Sequence, residues 1–229
     1  MRPYTDTVPK VLLPVGGEPF AAHQLRLLRS QGFTDVVLCV GHLGERVEEF
    51  VGDGADYGLR TRFVNDGPHL RGTAGALRQA LDLGLLAETF AVVYGDSYLP
   101  IDVAPVWGAF ESTSQPALMT IFRNDVDPEQ SNVVYEDGRL VRYQKGAAGP
   151  AMRYIDFGLS ILDRSVIADR VPTGATVDLA TVMEDLSHEG ALAGFVVEQR
   201  YYEIGSPAGL EDLERYLASR GPTATVSDP

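Results

Sequence analysis

Two lysines, and a carboxylate that follows an apolar run, are the groups in this sequence best suited to chemistry. Phe90 to Tyr94 is an unbroken apolar and aromatic run, Gly95 ends it, and Asp96 follows. A short run without alternation predicts a strand buried on both faces, as in a parallel sheet. Ligands of open α/β sheets sit beyond the carboxyl ends of the strands. A carboxylate there can hold a magnesium ion against the phosphates of a nucleotide; the plainer reading is a Gly-Asp turn with a solvated acid. Lys10 and Lys145 are the only lysines among 19 cationic residues. An ammonium is a compact point charge and a guanidinium a planar fork, so a site needing one cation at one phosphate oxygen favours lysine; chance retention is the alternative. Gly72-Thr73 opens an expected helix, where backbone N–H groups and a hydroxyl can serve a ligand or simply cap the helix.

The elements that must position these groups follow from apolar spacing and punctuation. Thr5 to Phe20 holds three prolines and a Gly pair, which makes an extended, turn-rich segment. Pro19 suits the first turn of a helix to about Gln31, and Gly32 stops it. Strands are expected at Val36–Val40, Thr61–Asn65 and Phe90–Tyr94. Between them, helices are expected at Leu43–Val51 and from Gly72 to about Leu83, and another at Val103–Glu111. This rhythm argues for a parallel, doubly wound sheet. The second half reads differently: strands at Ala117–Arg123, Val133–Glu136, Leu140–Gln144, Ile155–Leu162 and Ala193–Glu198, with Asp137-Gly138 as a hairpin turn. Helices are expected at Leu179–Ser187 and Pro207–Leu217. The chain reads as one domain over residues 1–218, followed by a polar tail, 219–229, without helix or strand signal and expected to be disordered.

Composition narrows the function classes. The chain has 229 residues, 45% of them hydrophobic and 22% charged, enough for one large domain with a real core. A net charge of −13 argues against a broad nucleic-acid surface, yet small phosphorylated ligands need only a few local cations and a metal. No apolar run is long enough to span a bilayer and no signal-peptide pattern follows Met1. The single cysteine, Cys39, excludes an internal disulfide, fits a reducing cytoplasm and is expected to be a small core residue. The P-loop pattern, the G-x-S-x-G elbow and metal-ligand spacing of His or Cys are all absent. Gly52-Asp53-Gly54 with Gly58 follows a helix and not a strand, so it is discounted as a dinucleotide loop.

Several stretches, in this order, resemble the sugar-1-phosphate nucleotidylyltransferases: Arg2-Pro3 with Pro9-Lys10-Val11-Leu12-Leu13-Pro14-Val15, Gly52-Asp53-Gly54 with Tyr57-Gly58, Gly72-Thr73-Ala74-Gly75-Ala76 and Gly95-Asp96-Ser97. Gln144-Lys145, Ile155-Asp156-Phe157-Gly158 and Glu203-Ile204-Gly205-Ser206-Pro207 follow. The likeness covers residues 1 to 217 and is closest to short, single-domain members such as the heptose-1-phosphate guanylyltransferases and N-acetylmuramate-1-phosphate uridylyltransferases. The resemblance implies a Rossmann-like, doubly wound mixed sheet of the glycosyltransferase-A-like nucleotidyltransferase type. It implies Lys10 as catalytic and on the nucleotide's phosphates, Gly72 and Thr73 on base and ribose, and Asp96 as a magnesium ligand at the nucleotide. Lys145 would be catalytic at the sugar 1-phosphate, Asp156 and Gly158 would bind the sugar, and Glu203 would be the second metal carboxylate. The implied partners are a nucleoside triphosphate and a sugar 1-phosphate, with Mg2+ as cofactor and without nucleic acid or membrane; a homo-oligomer is allowed.

The sequence departs from that family at three points. The family's first strand and its Gly-rich G-x-G-T-R loop would precede Met1-Arg2-Pro3. The fold is therefore expected to lack its first strand and to expose the edges of that strand's neighbours, the chain to be a weak catalyst, and an upstream extension to restore it. Gln144 stands where Glu is usual, and Glu203 where Asp is usual. These departures keep a second class open, a non-catalytic nucleotide-sugar binding or regulatory subunit.

Overall fold

The computed structural model describes residues 7–67, 69–125, 128–146 and 149–220. In chain order the elements are β1 (Pro14–Val15), β2 (Glu18–Pro19), α1 (Phe20–Ser30), β3 (Asp35–Val40), α2 (Gly44–Val51) and β4 (Arg60–Asn65), then α3 (Gly72–Asp82), β5 (Thr89–Val93), β6 (Ser97–Tyr98), α4 (Ala104–Ser112) and β7 (Ala117–Arg123). The second half holds β8 (Val133–Glu136), β9 (Arg139–Tyr143), β10 (Tyr154–Asp163), α5 (Arg164–Arg170), α6 (Leu179–His188), β11 (Leu192–Val197), β12 (Tyr202–Glu203) and α7 (Pro207–Arg220). The main sheet runs β11-β7-β10-β8-β9, with β5 also paired to β10.

Alternation along β7 shows how the layers form. Ala117, Met119 and Ile121 face the core made with α3, α5 and α6, whereas Leu118 faces the core under α4. Phe90 and Val92 of β5 join the first core, and Val93 the second. Residues two apart on a strand share a face, so helices cover both faces of this sheet, as the doubly wound expectation required.

The main sheet is mixed, as the resemblance implied, and not parallel throughout, as the strand–helix rhythm of the first half argued. β3 and β4 are parallel, as are β7 and β11, but β10 is antiparallel to both β5 and β7. The Asp137-Gly138 turn is confirmed: both residues have positive φ, 49° and 76°, as a tight hairpin turn demands. Pro19 precedes α1 as its cap, and α7 continues past Leu217 to Arg220, so Ser219 and Arg220 are helical. The rest of the expected tail, 221–229, lies outside the described residues. Helix α5 was not expected, because a seven-residue segment burying only Val166 and Ile167 has too little periodicity to read.

The expected full burial of the Phe90 strand is also corrected. All the residues of β5 are half-buried, because β10 is the only strand it pairs with among the described residues. β3 likewise pairs only with β4 there, and no ladder joins the two-stranded β3-β4 sheet to the main one. Cys39 is accordingly exposed and not a core residue. Apolar sequence reports what a strand can bury, not whether a neighbour is there to cover it.

Candidate active site

The carboxyl end of β5 is where the chemistry-bearing residues converge. A turn follows the strand, with Ser97 N–H donating to the Tyr94 carbonyl (3.2 Å). From α1, the Gln24 side-chain amide donates to the carbonyls of Tyr94 (3.0 Å) and Ser97 (2.9 Å), so Asp96 sits in a loop pinned on both sides. β6 then pairs with β12, placing Glu203 opposite Ser97, and Ile204 N–H donates to the Asp96 carbonyl (3.0 Å). Two carboxylates more than a hundred residues apart in sequence thereby share one corner. Burial, then the nearby Asp96 charge, raises the Glu203 carboxyl above its ordinary range, and Lys10 offsets part of this.

Lys10 enters the same corner from a short 3-10 turn, Lys10–Leu12, whose Val11 packs into two neighbouring cores. Its ammonium lies 2.5 Å from Asp96 Oδ2, with side chains 33% and 40% exposed. Among the described residues no three His, Cys, Asp or Glu side chains form a metal cage. Asp96 and Glu203, near enough for the Asp96 charge to act on the Glu203 carboxyl, are hard oxygen donors of the kind a magnesium ion would take.

Asp156 reaches this corner through strand register. β10 runs antiparallel to β5 with Leu159 opposite Val93, so its first residues extend past the end of β5. A register shift between Asp156 and Ser160 breaks its ladder with β7, and Gly158 holds φ = +101° there. This bulge lets Gly158 N–H donate to Asp156 Oδ1 (2.9 Å), while the Tyr94 hydroxyl donates to Oδ2 (3.1 Å). Burial pushes the Asp156 carboxyl up to about 6, opposed by those two hydrogen bonds and by Lys145, and reinforced by Glu203. Asn132 braces the segment by accepting from Asp156 N–H (3.0 Å).

A second cation–carboxylate pair lies on the other side of Asp156. The Lys145 ammonium, just beyond β9, is 2.8 Å from Asp178 Oδ2. Asp178 caps α6 by accepting from Ala180 N–H (3.1 Å), and its Oδ1 also accepts from the Thr73 hydroxyl (3.0 Å). Thr73 Oγ1 in turn accepts from Leu179 N–H (2.7 Å). The hydrogen bond from the Lys145 ammonium, against the opposing effect of burial, holds the Asp178 carboxyl below its ordinary range, and Ala180 N–H and the Thr73 hydroxyl add to this.

The Gly72-Thr73 segment is therefore built partly for packing. Gly72 has φ = +71°, and a side chain there would bring Cβ within 2.5 Å of the Val177 carbonyl oxygen. Ala74 and Gly75 N–H both donate to that oxygen (3.0 and 3.1 Å), so these donors and the Thr73 hydroxyl are engaged within the protein. Gln144 accepts from Arg142 (2.5 Å). Arg2 and the stretch where the family's Gly-rich loop would join lie outside the described residues.

Sequence reasoning thus named six side chains that the fold gathers: Lys10, Thr73, Asp96, Lys145, Asp156 and Glu203. It missed Gln24, Tyr94, Asn132 and Asp178. Only Asp178 carried a signal, an Asp immediately before the expected Leu179 helix, which is an N-cap pattern. Two open hollows of about 530 and 490 Å³, one beside Trp107 and one beside Asp53, lie at the amino ends of β3 and β4. Parallel strands present ligands at the opposite end, and neither hollow holds any of the gathered residues.

The chain belongs to the MobA-like NTP transferase family, whose model matches residues 4–199. It is 40% identical over 217 residues to the N-acetylmuramate alpha-1-phosphate uridylyltransferase of Neisseria meningitidis serogroup B, covering 93% of this chain and 91% of that protein. It is 28% identical over 195 residues to the UTP–glucose-1-phosphate uridylyltransferase of Synechocystis, covering 78% of this chain and 50% of that protein. The fold matches the inositol-1-phosphate CTP transferase of T. maritima with a TM-score of 0.76 at 21% identity, over 98% of this chain and 93% of that one. The resemblance, the fold class and the reading as a nucleotidyltransferase enzyme are borne out, and no observation favours the non-catalytic alternative. No helix among the described residues is long and apolar enough to cross a membrane.

Proposed function

We propose that this chain transfers a uridylyl group from UTP to N-acetylmuramate α-1-phosphate, releasing pyrophosphate. The supporting observation is the 40% identity to the Neisseria enzyme across 91% of its length. In this reading a sugar-phosphate oxygen attacks the α-phosphorus, the new P–O bond forms, and pyrophosphate leaves with the electron pair of the α–β bridge. No covalent enzyme intermediate is needed, only alignment of anions against fixed positive charge.

The residues divide this work. Lys10 meets the triphosphate, Lys145 the sugar phosphate, Asp156 and Gly158 the sugar, and Gly72 and Thr73 the nucleotide. Asp96 and Glu203 would hold Mg2+, which would supply charge neutralisation at the phosphates. Gln24 braces the turn that carries Asp96, and the Tyr94 hydroxyl holds Asp156. The substrates are small and soluble, without nucleic acid or membrane, and the net charge of −13 accords with that. One cysteine and nucleotide substrates favour a cytoplasmic setting.

A panel of UTP, GTP, CTP, ATP and dTTP against N-acetylmuramate α-1-phosphate, glucose 1-phosphate and mannose 1-phosphate tests this, read as pyrophosphate release. The highest kcat/KM is expected for UTP with N-acetylmuramate α-1-phosphate. A better pair elsewhere overturns the substrate assignment, and no release with any pair overturns catalysis by this chain.

A further inference from the structure

We propose that Asp178 is a positioning residue for Lys145, fixing its ammonium so that the sugar 1-phosphate meets a pre-aimed cation. The proposal rests on the reading of Lys145 as the sugar-phosphate contact. Lys145 lies on an exposed turn beyond β9, and its side chain is 62% exposed. A four-carbon stem in that setting has many rotamers, and the entropy of ordering it otherwise falls on substrate binding.

The two oxygens of Asp178 have separate duties. Oδ1 is anchored by Ala180 N–H and by the Thr73 hydroxyl, which is itself fixed by Leu179 N–H. Oδ2 is left for Lys145. A carboxylate tied to a helix cap and to the entrance of α3 is a rigid post, and Lys145 is tethered to it. The same post connects Thr73, on the nucleotide side, with Lys145, on the sugar-phosphate side. An opposing effect exists: the Asp178 charge also repels the incoming phosphate. With Asp178 47% exposed, that repulsion is screened by water and salt, so the ordering effect dominates.

Asp178→Asn separates the roles, because Asn keeps the volume and the capping oxygen but removes the charge facing Lys145. Steady-state kinetics use UTP and N-acetylmuramate α-1-phosphate, with melting temperature measured alongside. The expected result is a sugar-1-phosphate KM raised about tenfold, with kcat, the UTP KM and melting temperature nearly unchanged. Asp178→Ser, which also caps but cannot reach Lys145, should reproduce the rise. Adding Lys145→Met to Asp178→Asn should cost no more than Lys145→Met alone. An unchanged or lowered sugar-1-phosphate KM in Asp178→Asn, equal losses for UTP, or additive losses in the double variant overturn the positioning role. If Lys145→Met itself spares sugar-1-phosphate use, the reading of Lys145 fails first, and that result is distinct from a failure of Asp178 alone.

Discussion

The two lysines are held in opposite ways. Lys10 is pinned to Asp96 within a corner closed by β6, β12 and the turn after β5, and both partners are mostly covered. Lys145 is pinned to Asp178 on the surface, with 62% and 47% of the side chains exposed. Exposed ion pairs contribute about 0–1 kcal/mol because water competes for both charges. The Lys145 pair therefore adds little to the stability of the fold and acts on the side chain it orders, while the less exposed Lys10–Asp96 pair belongs to the corner itself. Between them sits Asp156, tied by Tyr94 to the turn of Asp96 and close enough to Lys145 to feel its charge.

The sharpest way to break this comparison is Asp96→Asn. If Asp96 holds the metal as proposed, its loss is expected to lower magnesium-dependent turnover by roughly a thousandfold, with the far-ultraviolet circular dichroism spectrum unchanged. Turnover and magnesium dependence that both match wild type would remove Asp96 from the metal site.

A smaller effect separates the two pairs by stability. Lys10→Met leaves Asp96 and Glu203 facing each other without their ammonium, and is expected to lower unfolding free energy by about 1 kcal/mol at neutral pH, allowing for partial exposure. Lys145→Met should stay within about 0.5 kcal/mol. Urea denaturation of both variants measures the difference; equal losses would erase the distinction between the more covered and the more exposed pair.

The bridge between the pairs is read by pH. The Asp156 carboxyl titrates near 6 in the folded protein against 3.8 as its ordinary value, so the native state holds this proton more tightly than the unfolded chain. Stability is therefore expected to fall as pH rises from about 4 to about 6 and to remain reduced above, by roughly 2–3 kcal/mol from this group. Asp156→Asn removes that component. Melting temperatures across the window should show a shallower decline in the variant, and parallel curves would mean that another group carries the dependence.

Much of the fold was legible because it depends on local pattern. The strands at Ala117–Arg123 and Val133–Glu136 match their expected bounds, and the strand after the Asp-Gly turn falls within one residue of its own, since apolar runs and such a turn act over a few residues. The antiparallel direction of β10 was not legible, because mixed and parallel sheets can be built from strands of equally apolar composition. The long reach of Asp178 to Lys145 was hidden for the same kind of reason: an N-cap pattern announces a helix start, not what its second oxygen will hold.

By itself, then, the sequence determined the alternation of strands and helices, the scarcity of lysine and the ordered motifs that mark the family, all properties of residue type and spacing. Only the tertiary structure decided that Glu203 joins Asp96, that the Tyr94 hydroxyl meets Asp156, and that Asp178 ties Thr73 to Lys145. Those contacts span tens to more than a hundred residues. They depend on strand register and loop closure, where a displacement of one residue turns a side chain to the other face of the sheet.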